Sequence, residues 1–308
     1  MVDIAQLVVL SCYYNPCGYA TRWQNYNRFK SALKESGVTL LTLECAFGNQ
    51  AFELPDALDT LKIRSSTPGF QSERLYNLLA SWLPDECRYV AWVDTDILFT
   101  NPNWPSETIQ ALQEYPVVQL FETCRRLNPP GSLEEESVVQ SMAAVMQEHP
   151  ERLNQGTVST HGHTGYAWAM QRELFEEVGL YDAALAGCAD LYLGHAIFND
   201  YGYAIQASLA GSPRQLAHLR AWGDRLYAKA QGKLGVVSGE ILHQWHGSYE
   251  SRRYPEQIRR MSELGYNPQS DLIAPFARPM EWSSALGKPA LPQLFNDYFW
   301  QRQEDGTP

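Results

Sequence analysis

Apolar runs and amphipathic stretches alternate along the first two-thirds of this 308-residue chain. Leu7-Val-Val-Leu-Ser-Cys-Tyr-Tyr14 is continuously apolar enough to predict a buried strand, ending in the turn-like Asn15-Pro16-Cys17-Gly18. The pattern turns helical from about Thr21 to Ser36, where Gly37 supplies a stop. A Leu- and Thr-rich strand is predicted over Val38 to Cys45, and a short one around Leu61 to Ser65. Ser72 is placed to cap a helix through Leu75, Leu78, Leu79 and Trp82, which Pro84 closes. Val90 to Val93 then reads as a buried strand that runs straight into Asp94-Thr-Asp96.

The alternation continues with a helix from Pro105 to about Glu114 and a strand over Val117 to Cys124. Strand and helix in turn predict an α/β fold, a mostly parallel central sheet covered by helices. Residues 128–160 are more polar and open on Asn128-Pro-Pro-Gly131, so we expect an insertion carrying one helix around Glu135 to Gln147. Gly165 to Met170 predicts a strand that leads into a helix over Arg172 to Val178, with Gly179 just past its end. Helices follow over Leu191 to Phe198 and Pro213 to Gln231, then a strand from Glu240 to Trp245. The tail after Tyr266 mixes Pro268, Pro275, Pro279, Pro289 and Pro292 with aromatics and reads as an irregular strap. The expected organisation is one domain over 1–265, with 266–308 packed on it.

Composition narrows the function classes. Hydrophobic residues make up 44% and charged residues 19%, an ordinary globular balance. The net charge is −11 and no dense Lys/Arg run occurs, which argues against a nucleic-acid partner. Six scattered cysteines without a Cys-x-x-Cys pair fit reduced thiols better than a disulfide frame or zinc site. The N-terminus lacks a basic region and a long apolar stretch, so neither a signal peptide nor a membrane span is expected, and cytoplasmic residence is the default.

The candidate chemistry starts at Asp94 and Asp96. Side chains at i and i+2 of a strand point the same way. Carboxylates at the carboxyl end of a parallel strand sit where open α/β sheets bind ligands, and hard cations are held by such carboxylates together with phosphates. The tripeptide alone is also compatible with a solvated turn. Further along, Leu242-His243-Gln-Trp-His246-Gly247 is followed by Arg252 and Arg253. Imidazole suits transition metals. In extended backbone the two histidines face opposite ways, so one ligand is expected, and His246 is favoured because Gly247 frees the backbone beside it. The arginines could hold a diphosphate. In Gly187-Cys-Ala-Asp190, the Asp is either a helix cap or a general base.

In order, Asp94-Thr-Asp96, the Gly165…Arg172-Glu173…Gly179…Asp182 segment with Asp190, and His246 resemble the Asp-x-Asp, family-2-like nucleotide-sugar-dependent glycosyltransferases of the GT-A fold. The resemblance implies Mn²⁺ or Mg²⁺ held by Asp94, Asp96 and His246, with Asp96 the stronger metal ligand and Asp94 also near the ribose. It implies Tyr13 and Asn15 near the base and Arg74 near the nucleotide or phosphate. Asp190 stands where that family has its catalytic base, although the preceding acidic residue is here Ala189. The implied reaction transfers a sugar from a UDP- or GDP-sugar to a glycan, lipid-linked or small hydroxyl acceptor, the lipid-linked case bringing peripheral membrane contact. Inversion is expected if Asp190 is the base, with retention as the alternative. A sugar nucleotidyltransferase ranks second, because the loop after the first strand has only one glycine. A non-catalytic nucleotide- or carbohydrate-binding protein and a two-metal hydrolase are weaker readings.

Overall fold

The computed structural model describes residues 2–306 except 67–68, 156–157, 203–204, 206–208, 210–211 and 249. Residues 156–157 of the expected insertion therefore lie outside the described residues. The strands are β1 (Leu7–Tyr13), β2 (Thr39–Phe47), β3 (Thr60–Ser65), β4 (Tyr89–Val93), β5 (Ile97–Phe99) and β6 (Val117–Gln119). They continue as β7 (Thr123–Arg126), β8 (Ser137–Gln140), β9 (Ala167–Gln171), β10 (Leu234–Val236) and β11 (Glu240–His243). The central sheet has the order β10-β6-β9-β4-β1-β2-β3. Its pairs are parallel except at β9, which runs antiparallel to both β4 and β6.

Alternation along β1 explains why the sheet needs cover on both faces. Val8 and Leu10 enter one apolar cluster while Leu7 and Val9 enter another, and all four are buried. Helices α1 (Ala20–Ser36), α2 (Ser72–Leu79), α3 (Trp104–Glu114), α4 (Met142–Glu148), α5 (Val158–His161), α6 (Arg172–Val178) and α7 (Ala189–Ile197) supply much of that cover. Phe29 and Leu33 of α1 and Ile109 and Leu112 of α3 pack on the Leu7 face. Leu75 and Leu79 of α2, Phe175 of α6 and Leu193 of α7 pack on the Val8 face. Gly37 ends α1 at φ 73, a left-handed cap that favours glycine. The expected fold class, a mostly parallel sheet flanked by helices, is the one found.

Four local expectations are corrected. The apolar run from Val117 to Cys124 is two strands in different sheets: β6 is central, whereas β7 joins a second sheet of order β5-β11-β7-β8. Hydrophobicity reports burial and is blind to which sheet receives the strand. Ser137–Gln140 is the edge strand β8 rather than the start of a helix; its Val-Val pair suits a ladder with β7, and α4 begins only at Met142. Ser72 is the first residue of α2, not its cap. The tail is not irregular throughout, since it carries the helix Ala290–Gln301. The prolines misled there: Pro289 is the N-cap and Pro292 lies in the first turn, where a missing N–H costs nothing.

That terminal helix buries Leu291, Leu294, Phe295 and Phe299, spaced for one face, in the same cluster as Val8 and Leu10. Phe295→Ala should therefore lower the unfolding free energy by about 3–5 kcal/mol in a denaturant titration. A loss well under 1 kcal/mol would mean that the tail is not part of the core.

Candidate active site

From β1 the chain builds β2 and β3 on one side, whereas β4 lies on the other. Such a switch point opens a crevice at the carboxyl ends of the strands. Asp94 follows β4 directly, and its N–H donates to the Tyr166 carbonyl at 2.8 Å. The antiparallel course of β9 makes this contact, because it brings residues 163–166 to the edge where β4 ends. Tyr166 holds φ 86, a strained value for a residue with a side chain, at the point where its carbonyl fixes Asp94.

The strand does not continue through Asp94-Thr95-Asp96. A turn closes with the Ile97 N–H on the Asp94 carbonyl at 3.2 Å, and β5 begins. The two carboxylates are therefore not held side by side by a strand, as the i, i+2 spacing suggested. Asp96 is placed by the second sheet: β11 pairs antiparallel with β5, setting His243 opposite Ile97, and the Gln244 N–H donates to the Asp96 carbonyl at 2.8 Å. β11 ends at His243, so the extended geometry that would separate the two histidines stops there. Both rings turn to one place, so the two histidines do not face opposite ways as extended backbone suggested. His246 Nε2 is 3.1 Å from Asp96 Oδ2 and 3.1 Å from His243 Nε2, and His243 Nε2 is 3.8 Å from Asp96 Oδ1.

Asp96, His243 and His246 are the one group of three acidic, His or Cys residues among the described residues whose donor atoms converge, all within 4.8 Å. Burial pushes His243 well below its ordinary pKa. Burial would raise Asp96, but His243 and His246 outweigh it and hold the carboxyl well below its usual range. Asp96 Oδ1 is buried and makes no hydrogen bond. An unpaired carboxylate oxygen beside two converging imidazoles is an arrangement that a bound cation satisfies. Two imidazoles and a carboxylate suit a transition ion such as Mn²⁺ better than Mg²⁺, which prefers oxygen. Asp94 stands outside this converging group.

The same cavity, about 820 Å³, has an acidic part. Asp190 lies in the first turn of α7, with Cys188 at the cap position, and its Oδ2 accepts from the Thr164 hydroxyl at 3.2 Å. Gly165 leaves room there: a Cβ would stand 2.9 Å from Asp190 Oδ2 and 2.9 Å from His163 Cε1, so one of these side chains would have to shift. Burial raises the Asp190 pKa. Glu73, in the first turn of α2, is pushed up to about 8 by burial and then by Asp190 and Asp182. Asp94 is raised well above its ordinary value by enclosure and by Asp96, Asp190 and Glu73. Its side chain is open to the cavity, so the neighbouring charges are the more durable cause.

His163 stacks on Tyr166 at 4.1 Å and accepts the Gly165 N–H at Nδ1, so its single proton is on Nε2; burial and then Arg126 and Arg252 depress its pKa to about 3. Arg252 lines the cavity and draws both Asp94 and Asp96 down. Arg253 does not line it; it is exposed, caps the next helix and lies 3.8 Å from Glu256. Tyr13 and Asn15 are also elsewhere, both bonded to Glu53, while the next residue along from Tyr13, Tyr14, lines the cavity. Arg74 is spent on the carbonyls of Pro275 and Arg278 and on Asp182. Trp168 is core, its Nε1 donating to the Thr164 carbonyl, and Tyr166 is sandwiched between His163 and His243. The cavity also holds Arg22, Glu73, Arg302 and Glu304, none of which the sequence pattern singled out.

No protein-family model and no curated relative matches this chain. Among solved structures, it is similar to the catalytic domain of Drosophila beta1,4-galactosyltransferase 7 in complex with xylobiose, at 12% identity and TM-score 0.44, covering 94% of this chain and 98% of that one. A glycosyltransferase involved in glycosylation of the major capsid of PBCV-1 is similar at 10% identity and TM-score 0.30, over 82% and 98%. A 4-diphosphocytidyl-2C-methyl-D-erythritol synthase from Anaerococcus prevotii is similar at 11% identity and TM-score 0.37, over 77% and 90%.

A raised carboxyl pKa has a defined sign in stability. The folded chain holds its proton on Glu73 up to about pH 8, whereas an unfolded glutamate loses it near 4.5. Stability associated with Glu73 is therefore full below the unfolded value and lost as pH rises toward 8. The stability gain of Glu73→Gln over the parent should grow between pH 5 and pH 8 in denaturant titrations. A difference that is flat with pH would contradict the placement of Glu73.

Proposed function

We propose that this chain is a metal-dependent glycosyltransferase of the GT-A type, moving a sugar from a nucleoside-diphosphate donor to a hydroxyl acceptor. One observation carries the reading. A single cavity contains a converging Asp96-His243-His246 donor set beside Arg252 and, separately, an oriented carboxylate with a raised pKa, Asp190. Those are the two halves of glycosyl transfer: charge stabilisation for a diphosphate leaving group and a base for the incoming hydroxyl.

Asp96, His243 and His246 would hold Mn²⁺, which supplies neutralising charge to the diphosphate when bound. Arg252 adds a fixed cation there, and Asp94 is the nearby carboxylate suited to the ribose or to a further cation contact. Asp190, oriented by the Thr164 hydroxyl, takes the proton of the attacking hydroxyl; its raised pKa makes the ionised form a better base. A base acting in a single displacement inverts the anomeric centre, through an oxocarbenium-like state akin to that of glycoside hydrolysis. The cavity volume lies within the range of small-molecule sites. UDP- and GDP-sugars are the donors to test first, against glycan, lipid-linked and small hydroxyl acceptors. No helix among the described residues is long and apolar enough to cross a membrane, so a lipid-linked acceptor would be met at a membrane surface.

The test is donor hydrolysis and transfer over a panel of nucleotide sugars with and without Mn²⁺. Metal-dependent turnover of at least one donor is expected, and none at all would overturn the reading. Asp190→Asn should lower kcat by about 10²–10⁴-fold and leave donor binding intact; full activity would remove Asp190 from the base role. His243→Ala and His246→Ala should each weaken Mn²⁺ binding, whereas an effect confined to one ring would restore the single-ligand arrangement.

A further inference from the structure

The last described residues reach back to the cavity. Glu304 is 1% exposed, and two guanidinium groups hold it. Arg22 donates to both of its oxygens, with Nη2 at 2.7 Å from Oε1, and Arg302 donates from Nε to Oε1. Arg302 is itself fixed: its Nη1 donates to Tyr254 Oη at 3.1 Å and Tyr298 Oη at 2.9 Å, and its guanidinium lies 5.2 Å from the Phe70 ring centre. The next residue, Asp305, accepts the Ala20 and Thr21 N–H groups at 3.0 and 2.8 Å, tying the tail to the start of α1.

The tail also lies against the residue after His246. Gly247 has φ 86, and a Cβ there would stand 2.9 Å from the Arg302 carbonyl oxygen and 3.1 Å from Glu304 Cα. This close approach sets Glu304 Oε1 at 3.8 Å from His246 Nδ1, while Nε2 of the same ring meets Asp96 and His243. With its positions toward Arg22 and Arg302 filled by donors, the carboxylate accepts only, and Nδ1 faces it. Metal-binding histidines characteristically give their second N–H to a carboxylate or carbonyl, which leaves the other nitrogen bare for the ion.

We propose that Glu304 is a positioning residue, the carboxylate that keeps the proton of His246 on Nδ1 and turns its bare Nε2 to the cation site. The C-terminal segment is then part of the active site, joined to it by the Arg22-Glu304-Arg302 cluster. This inference rests on the reading of Asp96, His243 and His246 as a cation site.

The full chain, E304Q and D96N are titrated with Mn²⁺ alone, with bound ion followed by electron paramagnetic resonance and thermal stability measured alongside. The parent should bind Mn²⁺, D96N should lose it, and E304Q should bind about 10–100-fold more weakly, with E304D recovering part of the loss. Parent-like Mn²⁺ affinity in a folded E304Q, while D96N loses the ion, overturns the role of Glu304 and leaves the cation site standing. A parent that binds no Mn²⁺ overturns the cation site itself. Should E304Q fail to fold, nitrogen NMR of the histidine-labelled parent decides: a proton on His246 Nδ1 is expected, and a ring protonated on Nε2 alone overturns the proposal.

Discussion

Asp96, His243 and His246 each bring one potential ligand atom to a single point, all within 4.8 Å of one another. Burial lowers the His243 pKa, while His243, His246 and Arg252 outweigh burial at Asp96 and hold its carboxyl well below the usual range. Asp96 Oδ1 is buried without a hydrogen bond. An unsatisfied buried acceptor is costly, so the surrounding structure must enforce the convergence. The second sheet does this through the β5–β11 register, and the tail does it through Gly247 and Glu304.

The central sheet contributes the other half of the cavity. One strand, β9, runs against its neighbours and so delivers residues 163–166 to the edge where β4 releases Asp94. Tyr166 pays for that delivery with a left-handed backbone and is held between His163 and His243. Thr164 and Gly165 come with it, the first bonding Asp190 and the second leaving space for it. Acidic groups that repel one another, Asp94, Asp190 and Glu73, thus share a cavity with a basic wall. Their pKa values are raised while that of Asp96 is depressed, so the carboxyls of one cavity differ in proton affinity.

Much was legible from local pattern. The continuous apolar runs of β1 and β4, the helical spacing of α1 and α6, and the glycine stops after them needed no tertiary information, since each is decided by a few neighbouring residues. Asp94, Asp96, Asp190, His246 and Arg252 could be singled out as chemistry-bearing residues, and all five line one cavity. The sequence also contained the amphipathic face of Ala290–Gln301, which the prolines at its start concealed.

The rest depended on which distant segments meet. Nothing local distinguishes β6 from β7, or predicts that β9 runs antiparallel, because pairing partners are set by sheet topology. His243 became a partner of His246 only because β11 stops between them and the chain coils back. Arg253, Tyr13, Asn15 and Arg74 had suitable chemistry but are turned to other partners. Glu304 sits in a polar terminal stretch that reads as a frayed end, 58 positions beyond His246. Local sequence therefore decided the elements and the reactive residue types. Long-range packing alone decided which of those residues share a cavity, and with which charges beside them.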